Sequence, residues 1–183
     1  MTPRFSTLGI LSLSALMGLL PGLAKSAEWQ PVGEATAYWA GLIPVYDAQL
    51  EASSDAALDT LLSDDTPLRL QLCYRVKLTQ SEFIQAAEQA LPKSLSPAHQ
   101  KAVNSLHQRY QTVQPNDCYQ LVYAPQTGVE LRLNNVVQYR DKTPGFKAVY
   151  FGIWLGDAPL SDSVKADLTE KLPPSTDQTR TES

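Results

Sequence analysis

A helical period of apolar residues runs through Phe146 to Gly156, whose sequence is FKAVYFGIWLG. Apolar side chains fall at i, i+3, i+4, i+7 and i+8, which is the stripe of a helix that buries one face. We therefore predict a buried helix around which the domain packs, with a ligand-facing helix as the alternative. The stripe consists of Phe146, Val149, Tyr150, Ile153 and Trp154.

Two glycines accompany this helix. Gly156 follows it, and we expect a left-handed cap at that residue, where a side chain would clash. Gly152 lies inside the helix, where glycine costs about 1 kcal/mol relative to alanine. We therefore expect the helix to approach a sheet or a ligand closely at Gly152.

Alternation of apolar and polar residues predicts strands elsewhere in the chain. It is regular in Leu68 to Val76 and again from Tyr46 to Leu50. Pro44 lacks an N–H and disfavours a central ladder position, so we expect a bulge or a sheet edge there. A three-stranded meander follows later, with turns at 125–128 and 134–135. Its strands are Cys118 to Ala124, Val129 to Leu133 and Val136 to Arg140.

Capping signals place two helices between the third strand and the meander. Thr79 and Glu82 form a capping-box pair, and Ser96 precedes a proline at the first helical position. A last short helix is predicted over Asp162 to Leu172. Strands, two helices, a meander and two further helices predict an α+β fold, with one antiparallel sheet and helices packed on one face.

The N-terminus has the pattern of a secretory signal peptide, residues 1–27. Arg4 supplies the positive charge, Leu8 to Leu20 supply an apolar segment too short to span a bilayer, and small residues place the cleavage near 24–27. We therefore predict export, to the periplasm or beyond, with a retained N-terminal anchor as the alternative. A single domain is expected over residues 28–172, and the polar tail, 173–183, is expected to be disordered.

The charge balance bears on the choice of partners. The formal net charge of the 183 residues is −4, and the chain has no basic cluster. Nucleic acids and anionic membrane surfaces are therefore poor candidates, because both bind proteins through positive patches. No transmembrane segment is expected after signal cleavage.

The chain has two cysteines, Cys73 and Cys118, and both lie on predicted strands. Oxidising compartments permit disulfides, so export makes this pair a candidate disulfide. Such a bond would close a loop of roughly 45 residues and contribute ~3–4 kcal/mol. Two free thiols are the alternative.

Several segments together resemble the bacterial chalcone isomerase-like proteins. FGIWLGDAPLSDSVKADL resembles the end of that family, and PVYDAQL at Pro44 to Leu50 resembles its first conserved strand. LRLQLCYRVKLTQSEFIQA from Leu68 is similar to its strand-into-helix step, and NDCYQLVYAPQTGVELRLNN from Asn116 to its hairpin. The resemblance spans about 33–168 and implies the open-faced β-sandwich of the chalcone isomerase fold in an exported member.

The resemblance also implies where functional residues would lie. True chalcone isomerases hold their substrate with an arginine near the first conserved strand pair, and related plant fatty-acid-binding proteins use an arginine and a tyrosine for a carboxylate. This chain has no Lys or Arg between Lys25 and Arg69, and Thr36 or Tyr38 lies near the expected place. That departure weighs against isomerase activity and against fatty-acid binding in the plant manner, and no catalytic residue can be transferred.

No catalytic or metal-binding motif is visible in the residues themselves. His99 and His107 lie eight apart on one predicted helix without a neighbouring ligand, so we expect exposed histidines and neither metal nor cofactor. Aromatic residues on the strands and the central helix instead suggest a pocket between sheet and helices, with core packing as the alternative. The candidate ligand-binding residues are Tyr38, Trp39, Tyr46, Tyr74, Tyr150 and Trp154.

These observations favour a periplasmic, non-catalytic chalcone isomerase-like protein that binds a small apolar or amphipathic ligand. Without the family arginine, a neutral or cationic head group is easier to accommodate than a carboxylate, unless Arg69, Arg75 or Arg132 reaches into the pocket. Two alternatives remain at this stage: an isomerase or lyase with different catalytic groups, and an envelope module that binds a protein partner without any small ligand.

Overall fold

The computed structural model describes residues 29–173. The predicted signal peptide, residues 1–27, and the predicted tail beyond Pro173 lie outside the described residues. Within 29–173 the chain forms a six-stranded antiparallel sheet and four helices, so the predicted α+β fold is confirmed.

The six strands lie in the sheet in the same order as in the chain. Each strand pairs with the next one in antiparallel orientation, even where two helices intervene between the third and the fourth. The strands are β1 (Trp29–Trp39), β2 (Ile43–Ser53), β3 (Leu68–Tyr74), β4 (Cys118–Ala124), β5 (Gly128–Leu133) and β6 (Val136–Asp141).

The helices are α1 (Gln80–Ala90), α2 (Pro97–His107), α3 (Phe146–Leu155) and α4 (Asp162–Leu168). The predicted capping box begins α1: the Thr79 hydroxyl accepts from the Glu82 N–H, and the Glu82 carboxylate accepts from the Thr79 N–H at 2.7 Å. The Ser96 hydroxyl caps α2 by accepting from the His99 N–H at 3.2 Å.

Helix α3 is the central helix that the apolar period predicted. Phe146, Tyr150, Phe151 and Ile153 are fully buried. They pack against the inward side chains of the sheet, where alternation places leucines such as Leu70. The opposite face of the sheet carries the polar side chains of the same strands.

The two glycines of α3 differ from expectation. Gly156 has φ −76° and ψ −174°, so the prediction of a left-handed cap was wrong. Its need for glycine is steric, because a Cβ there would lie 2.7 Å from the carbonyl oxygen of Gly152. Outside the backbone of its own helix, a Cβ on Gly152 would meet no atom of residues 29–173 within 4 Å, so these residues do not make the expected close approach.

The pairing of β1 with β2 is interrupted beside Pro44, as its missing N–H predicts. Ala37 pairs with Tyr46 and Tyr38 pairs with Pro44, which leaves Val45 as an extra residue in β2. This bulge lies where the hairpin leaves the body of the sheet.

The predicted disulfide is present. Cys73 of β3 faces Cys118 of β4 across the ladder, and the two side chains are bonded with their Cα atoms 4.1 Å apart. Because both residues alternate with inward-facing neighbours, the bond lies on the polar face of the sheet.

The two histidines have different surroundings. His99 is partly buried, and its Nε2 lies 2.9 Å from the carbonyl oxygen of Pro144. His107 is buried, so the expectation of two exposed histidines was wrong for this residue. Its ring lies 6.0 Å from that of Tyr150, because the end of α2 packs against α3.

Candidate functional site

An apolar cavity of about 170 Å³ lies between the sheet and the helices. The inward side chains of β2 and β3 form one wall, and α1, α3 and the segment after α2 form the others. Its surface is almost entirely apolar, with tyrosine hydroxyls as the neutral polar groups. The lining residues are Val45, Tyr46, Tyr74, Leu78, Glu82, Phe83, Ala86, Ala87, Tyr110, Ile153, Trp154 and Leu160.

Strand register positions the aromatic residues on the sheet side. Tyr46 of β2 is paired with Tyr74 of β3, and their rings meet edge to face with centroids 5.8 Å apart. The Trp154 Nε1–H donates to the Tyr46 hydroxyl at 3.1 Å, so α3 and β2 hold each other's aromatic side chains. This contact fixes two sides of the cavity.

The helical wall is a stack of rings. Phe83 of α1 lies parallel to Tyr110, with centroids 4.9 Å apart, and edge-on to Tyr74 at 5.2 Å. The Tyr110 hydroxyl lies 2.8 Å from the Tyr150 hydroxyl, which joins the segment after α2 to α3. Edge-to-face and offset ring pairs of this kind are favourable and directional, so they hold the wall in one shape.

Among the described residues that line the cavity, Glu82 is the one that carries a charge, and it lies exposed at the rim. Burial raises the pKa of Tyr46, Tyr74 and Tyr110, although the Trp154 hydrogen bond acts against this for Tyr46. Their hydroxyls therefore stay protonated at neutral pH. Hydrogen bonds from Thr79 lower the pKa of the Glu82 carboxyl, which caps α1.

The arginines closest in sequence to these strands point away from the cavity. Arg75 pairs with Asp47 at 2.8 Å, Arg132 pairs with Glu130 at 2.6 Å, and Arg69 pairs with Glu51. All three pairs lie on the polar face of the sheet. Among the described residues that line the cavity, none is Lys or Arg.

The structure brings together some of the sequence-predicted residues and separates others. Tyr46, Tyr74 and Trp154 line the cavity, and Tyr150 lies behind Tyr110. Tyr38 and Trp39 lie at the far end of β1, 57% and 68% exposed, and do not reach it. The reason is the length of the hairpin, which continues past the Tyr46–Tyr74 pair where β3 ends.

Phe83 and Tyr110 are the lining aromatics that the sequence analysis did not assign to the pocket. A sequence signal was present. Phe83 begins an apolar period that continues at Ala87 and Leu91, and Tyr110 continues the period of Val103 and Leu106, so each predicts a buried helix face. These periods do not show that both residues face the same space. Tyr110 reaches the cavity from the segment that follows the end of α2 at His107, so its position depends on tertiary packing.

A larger groove of about 840 Å³ lies between the end of α1, the segment 58–62 and the face of α3 that carries Gly152. Its walls mix apolar groups with charged ones, including Asp59, Lys93 and Asp157. A polar depression of about 400 Å³ on the outer face is lined by Glu34, Asp47 and amides. We favour the aromatic cavity because its lining is consistently apolar with few polar groups, as ligand sites usually are.

Other site types find little support in residues 29–173. No group of three or more His, Cys, Asp or Glu side chains in this range is arranged to hold a metal ion. None of the helices within it has the length and apolar character needed to cross a membrane.

The fold and the cavity define a class of protein: an antiparallel sheet and a single layer of helices enclosing an aromatic space. A family model described as chalcone isomerase-like matches residues 37–169, and the chain belongs to the chalcone isomerase-like family. The crystal structure of a fatty-acid binding protein from Arabidopsis thaliana has the same fold, with a TM-score of 0.62 and 13% sequence identity. The match covers 82% of this chain and 91% of that one. No curated protein matches the chain.

Proposed function

We propose that this protein is an exported, non-catalytic member of the family that binds a small apolar molecule, or the apolar end of an amphipathic one. The observation that carries the proposal is the aromatic cavity between sheet and helices. The Arabidopsis neighbour, a fatty-acid binding protein of the same fold, supports ligand binding as a use of this architecture.

The size of the cavity limits the ligand. At about 170 Å³ it is similar to an apolar protein cavity of ~150 Å³ that holds benzene. Drug-sized ligands usually occupy ~300–1,000 Å³. A single ring or a short acyl segment therefore fits without rearrangement.

The lining also limits the head group. A buried carboxylate requires a cation or several hydrogen-bond donors, because an isolated charge is costly to bury. Arg69, Arg75 and Arg132 are engaged on the other face of the sheet. Glu82, the charged member of the described lining, is itself an anion. A neutral group that hydrogen-bonds a tyrosine hydroxyl is favoured over a fatty acid.

Export is supported by two independent features. The N-terminal sequence has the charge, apolar segment and small residues of a signal peptide. The Cys73–Cys118 disulfide is typical of proteins in oxidising compartments. Mass spectrometry of the protein isolated from the periplasm tests this directly: an N-terminus between residues 25 and 28 is expected, and an intact Met1 would contradict cleavage.

Native mass spectrometry of that same sample tests ligand carriage. A discrete adduct that is lost on denaturation is the expected result, and organic extraction then gives its chemical class. The ligand proposal would be overturned if the protein carries no adduct and also fails to bind p-cresol in a titration.

A cavity-filling variant tests the location of binding. Ala86 lines the cavity from α1, so Ala86→Leu is expected to reduce the affinity for p-cresol at least tenfold, measured by ligand-observed NMR. Ala98→Leu, at an exposed position of α2, is the matched control and should bind normally. Replacing the ligand by p-toluate, its carboxylate counterpart, should also weaken binding. Equal affinity of both variants would place the ligand elsewhere.

The non-catalytic part of the proposal has its own test. We expect no turnover of a flavonoid-type chalcone above its spontaneous rate of cyclisation. Acceleration that disappears in Ala86→Leu would instead make the cavity an active site.

A further inference from the structure

The tip of the β1–β2 hairpin is an exposed apolar surface. Its four large apolar side chains are Tyr38, Trp39, Leu42 and Ile43, exposed by 57%, 68%, 83% and 47%. The chain reverses through Ala40 and Gly41, both with positive φ, and the Leu42 N–H donates to the Trp39 carbonyl at 3.1 Å. This ordered turn presents all four side chains at one point of the molecule.

The tip projects beyond the sheet. The ladder between β2 and β3 ends at the Tyr46–Tyr74 pair, with one further bond from the Arg75 N–H to the Val45 carbonyl oxygen at 2.8 Å. Past that point the hairpin's own pairs are Tyr38–Pro44 and Trp39–Ile43. Three residues at about 3.3 Å each separate Val45 from Leu42 at the turn, so the tip projects ~10 Å past this last bond. The side chains there are exposed because no third strand extends to cover them.

The chemistry of the hairpin changes in order with distance from the turn. The twelve residues from Ala35 to Tyr46 contain no charged side chain. Leu42 lies at the turn and the aromatic Trp39 and Tyr38 lie behind it. The row after Tyr38–Pro44 is Ala37–Tyr46, and the row after that, Thr36–Asp47, carries the first charge. It is the Asp47 carboxylate, bound by Arg75 at 2.8 and 2.9 Å. Aliphatic, then aromatic, then charged is the order of side chains across a membrane–water interface.

We propose that this tip, residues 38–43, inserts into the interface of a lipid bilayer and holds the domain at a membrane surface. The apolar part of the hairpin is about as long as the ~5–10 Å to which interfacial elements insert. The inference does not depend on the cavity's binding a ligand.

The tip is nevertheless close to the cavity. Val45 and Tyr46, which follow the tip in β2, line the cavity, so docking of the tip would bring the cavity close to the lipid.

A protein partner fits the tip less well. Burying its four side chains completely would remove about 500 Å² from water, whereas a standard protein interface buries about 800 Å² on each partner. The net charge of −4 makes a bilayer of neutral lipids the better partner than one of anionic lipids. Anionic head groups would repel the chain, so insertion of apolar side chains must drive the binding.

Vesicle flotation tests the proposal with the processed chain, residues 28–183, which contains every element described above. We expect it to float with phosphatidylcholine vesicles, with no gain from added phosphatidylglycerol and no loss in 0.5 M NaCl. Leu42→Asp should reduce the bound fraction at least tenfold. Val136→Asp is the control, because Val136 is an exposed valine, 63% accessible, beside the turn of another hairpin.

Fluorescence identifies the inserting residue. Vesicles should shift the tryptophan emission to the blue and protect it from acrylamide in the wild type. Both effects should be absent in Trp39→Phe, which keeps the apolar surface and should still float. This separates insertion of the tip from a general loss of folding.

Three results would overturn the proposal. The first is absence of flotation with either lipid. The second is an equal effect of Leu42→Asp and Val136→Asp. The third is a protein contact at the tip in a sample that does not bind vesicles: either a concentration-dependent dimer of this chain, or another protein that becomes cross-linked to residue 42. The tip would then be a protein interface.

Discussion

At the scale of single residues, Lys147 is the most unusual side chain of the core. It is fully buried in α3, and its Nζ donates to the carbonyl oxygens of Leu61, Ser63 and Thr66 at 2.7, 2.5 and 2.6 Å. Burial lowers the pKa of its ammonium group to about 8, and nearby carboxylates act in the opposite direction. Lys147 therefore ties the segment between β2 and β3 to the central helix.

Replacing this lysine should be costly. Lys147→Met leaves two buried carbonyl groups, those of Leu61 and Thr66, and the partly buried one of Ser63 without their donor. Each buried unpaired polar group costs about 1–3 kcal/mol. We expect the free energy of unfolding to fall by about 2–4 kcal/mol, measured by urea denaturation. Lys142→Met, at an exposed position, should change it by less than about 0.5 kcal/mol. Similar losses in both variants would contradict this role.

His107 should make stability depend on pH. Burial lowers its pKa, opposed by the charge of Glu88, and its Nε2 lacks a hydrogen-bond partner within the described structure. The rings of Tyr110 and Tyr150 face it. The folded state therefore holds His107 neutral, while the unfolded chain takes up a proton below about pH 6.5.

The stabilisation is accordingly complete above about pH 6.5 and is lost as the pH falls from there toward the lowered folded pKa. We expect the free energy of unfolding to decrease between pH 7.5 and 5.5, with a smaller decrease in His107→Gln. His99→Gln, on the same helix, should behave as the wild type. An unchanged slope in His107→Gln would assign the pH dependence to other groups.

At the scale of elements, α3 combines a strongly buried face with a face of small residues. Gly152 and Ala148 line the large groove, whereas Phe146, Tyr150 and Ile153 fill the core. Packing within the described structure thus does not require a glycine at position 152. The cost of glycine to helix stability is not compensated by a close contact there. This contrasts with Gly156 at the end of the helix, where backbone atoms leave no room for a side chain.

Two alanine substitutions separate these cases. Gly152→Ala should raise the free energy of unfolding by about 0.5–1 kcal/mol, because alanine favours the helix and no described atom outside the helix backbone crowds the new methyl group. Gly156→Ala should lower it, because the new Cβ would lie 2.7 Å from the Gly152 carbonyl oxygen. Thermal denaturation followed by circular dichroism measures both. Destabilisation by Gly152→Ala would mean that the groove requires a glycine.

At the scale of the whole molecule, the sheet separates two kinds of chemistry. One face holds the leucines, the aromatic cavity and the helices. The other holds ion pairs, such as Glu130 between Arg132 and Arg140, together with the disulfide. The disulfide joins β3 to β4, so it spans the 45-residue separation that contains α1 and α2.

Removing this crosslink should destabilise the entire domain. Closing a loop of this length contributes ~3–4 kcal/mol by limiting the unfolded chain. We expect a loss of that size in the double variant Cys73→Ser, Cys118→Ser, measured by guanidinium denaturation. Reductant should destabilise the wild type equally and leave the double variant unaffected. The prediction would be contradicted if reductant left the guanidinium midpoint of the wild type unchanged.

What the sequence determined by itself is local, or follows from a family pattern. Periodicity predicted the central helix and the strands, capping signals placed the starts of α1 and α2, and the order of elements predicted the α+β class. The motifs from Pro44 onward predicted the family. These properties depend on neighbours a few residues apart, or on segments that relatives share, so a single chain displays them.

The places where separate elements meet are known only from the folded molecule. The sequence placed Tyr38 and Tyr46 alike on strands that would line the sheet, but only Tyr46 of the two lies under the helices, because β3 ends opposite it. The burial of His107 and the gathering of Phe83 with Tyr110 likewise depend on packing between helices. Such contacts join residues far apart in the chain, and their geometry follows from filling one common core, which no local pattern encodes.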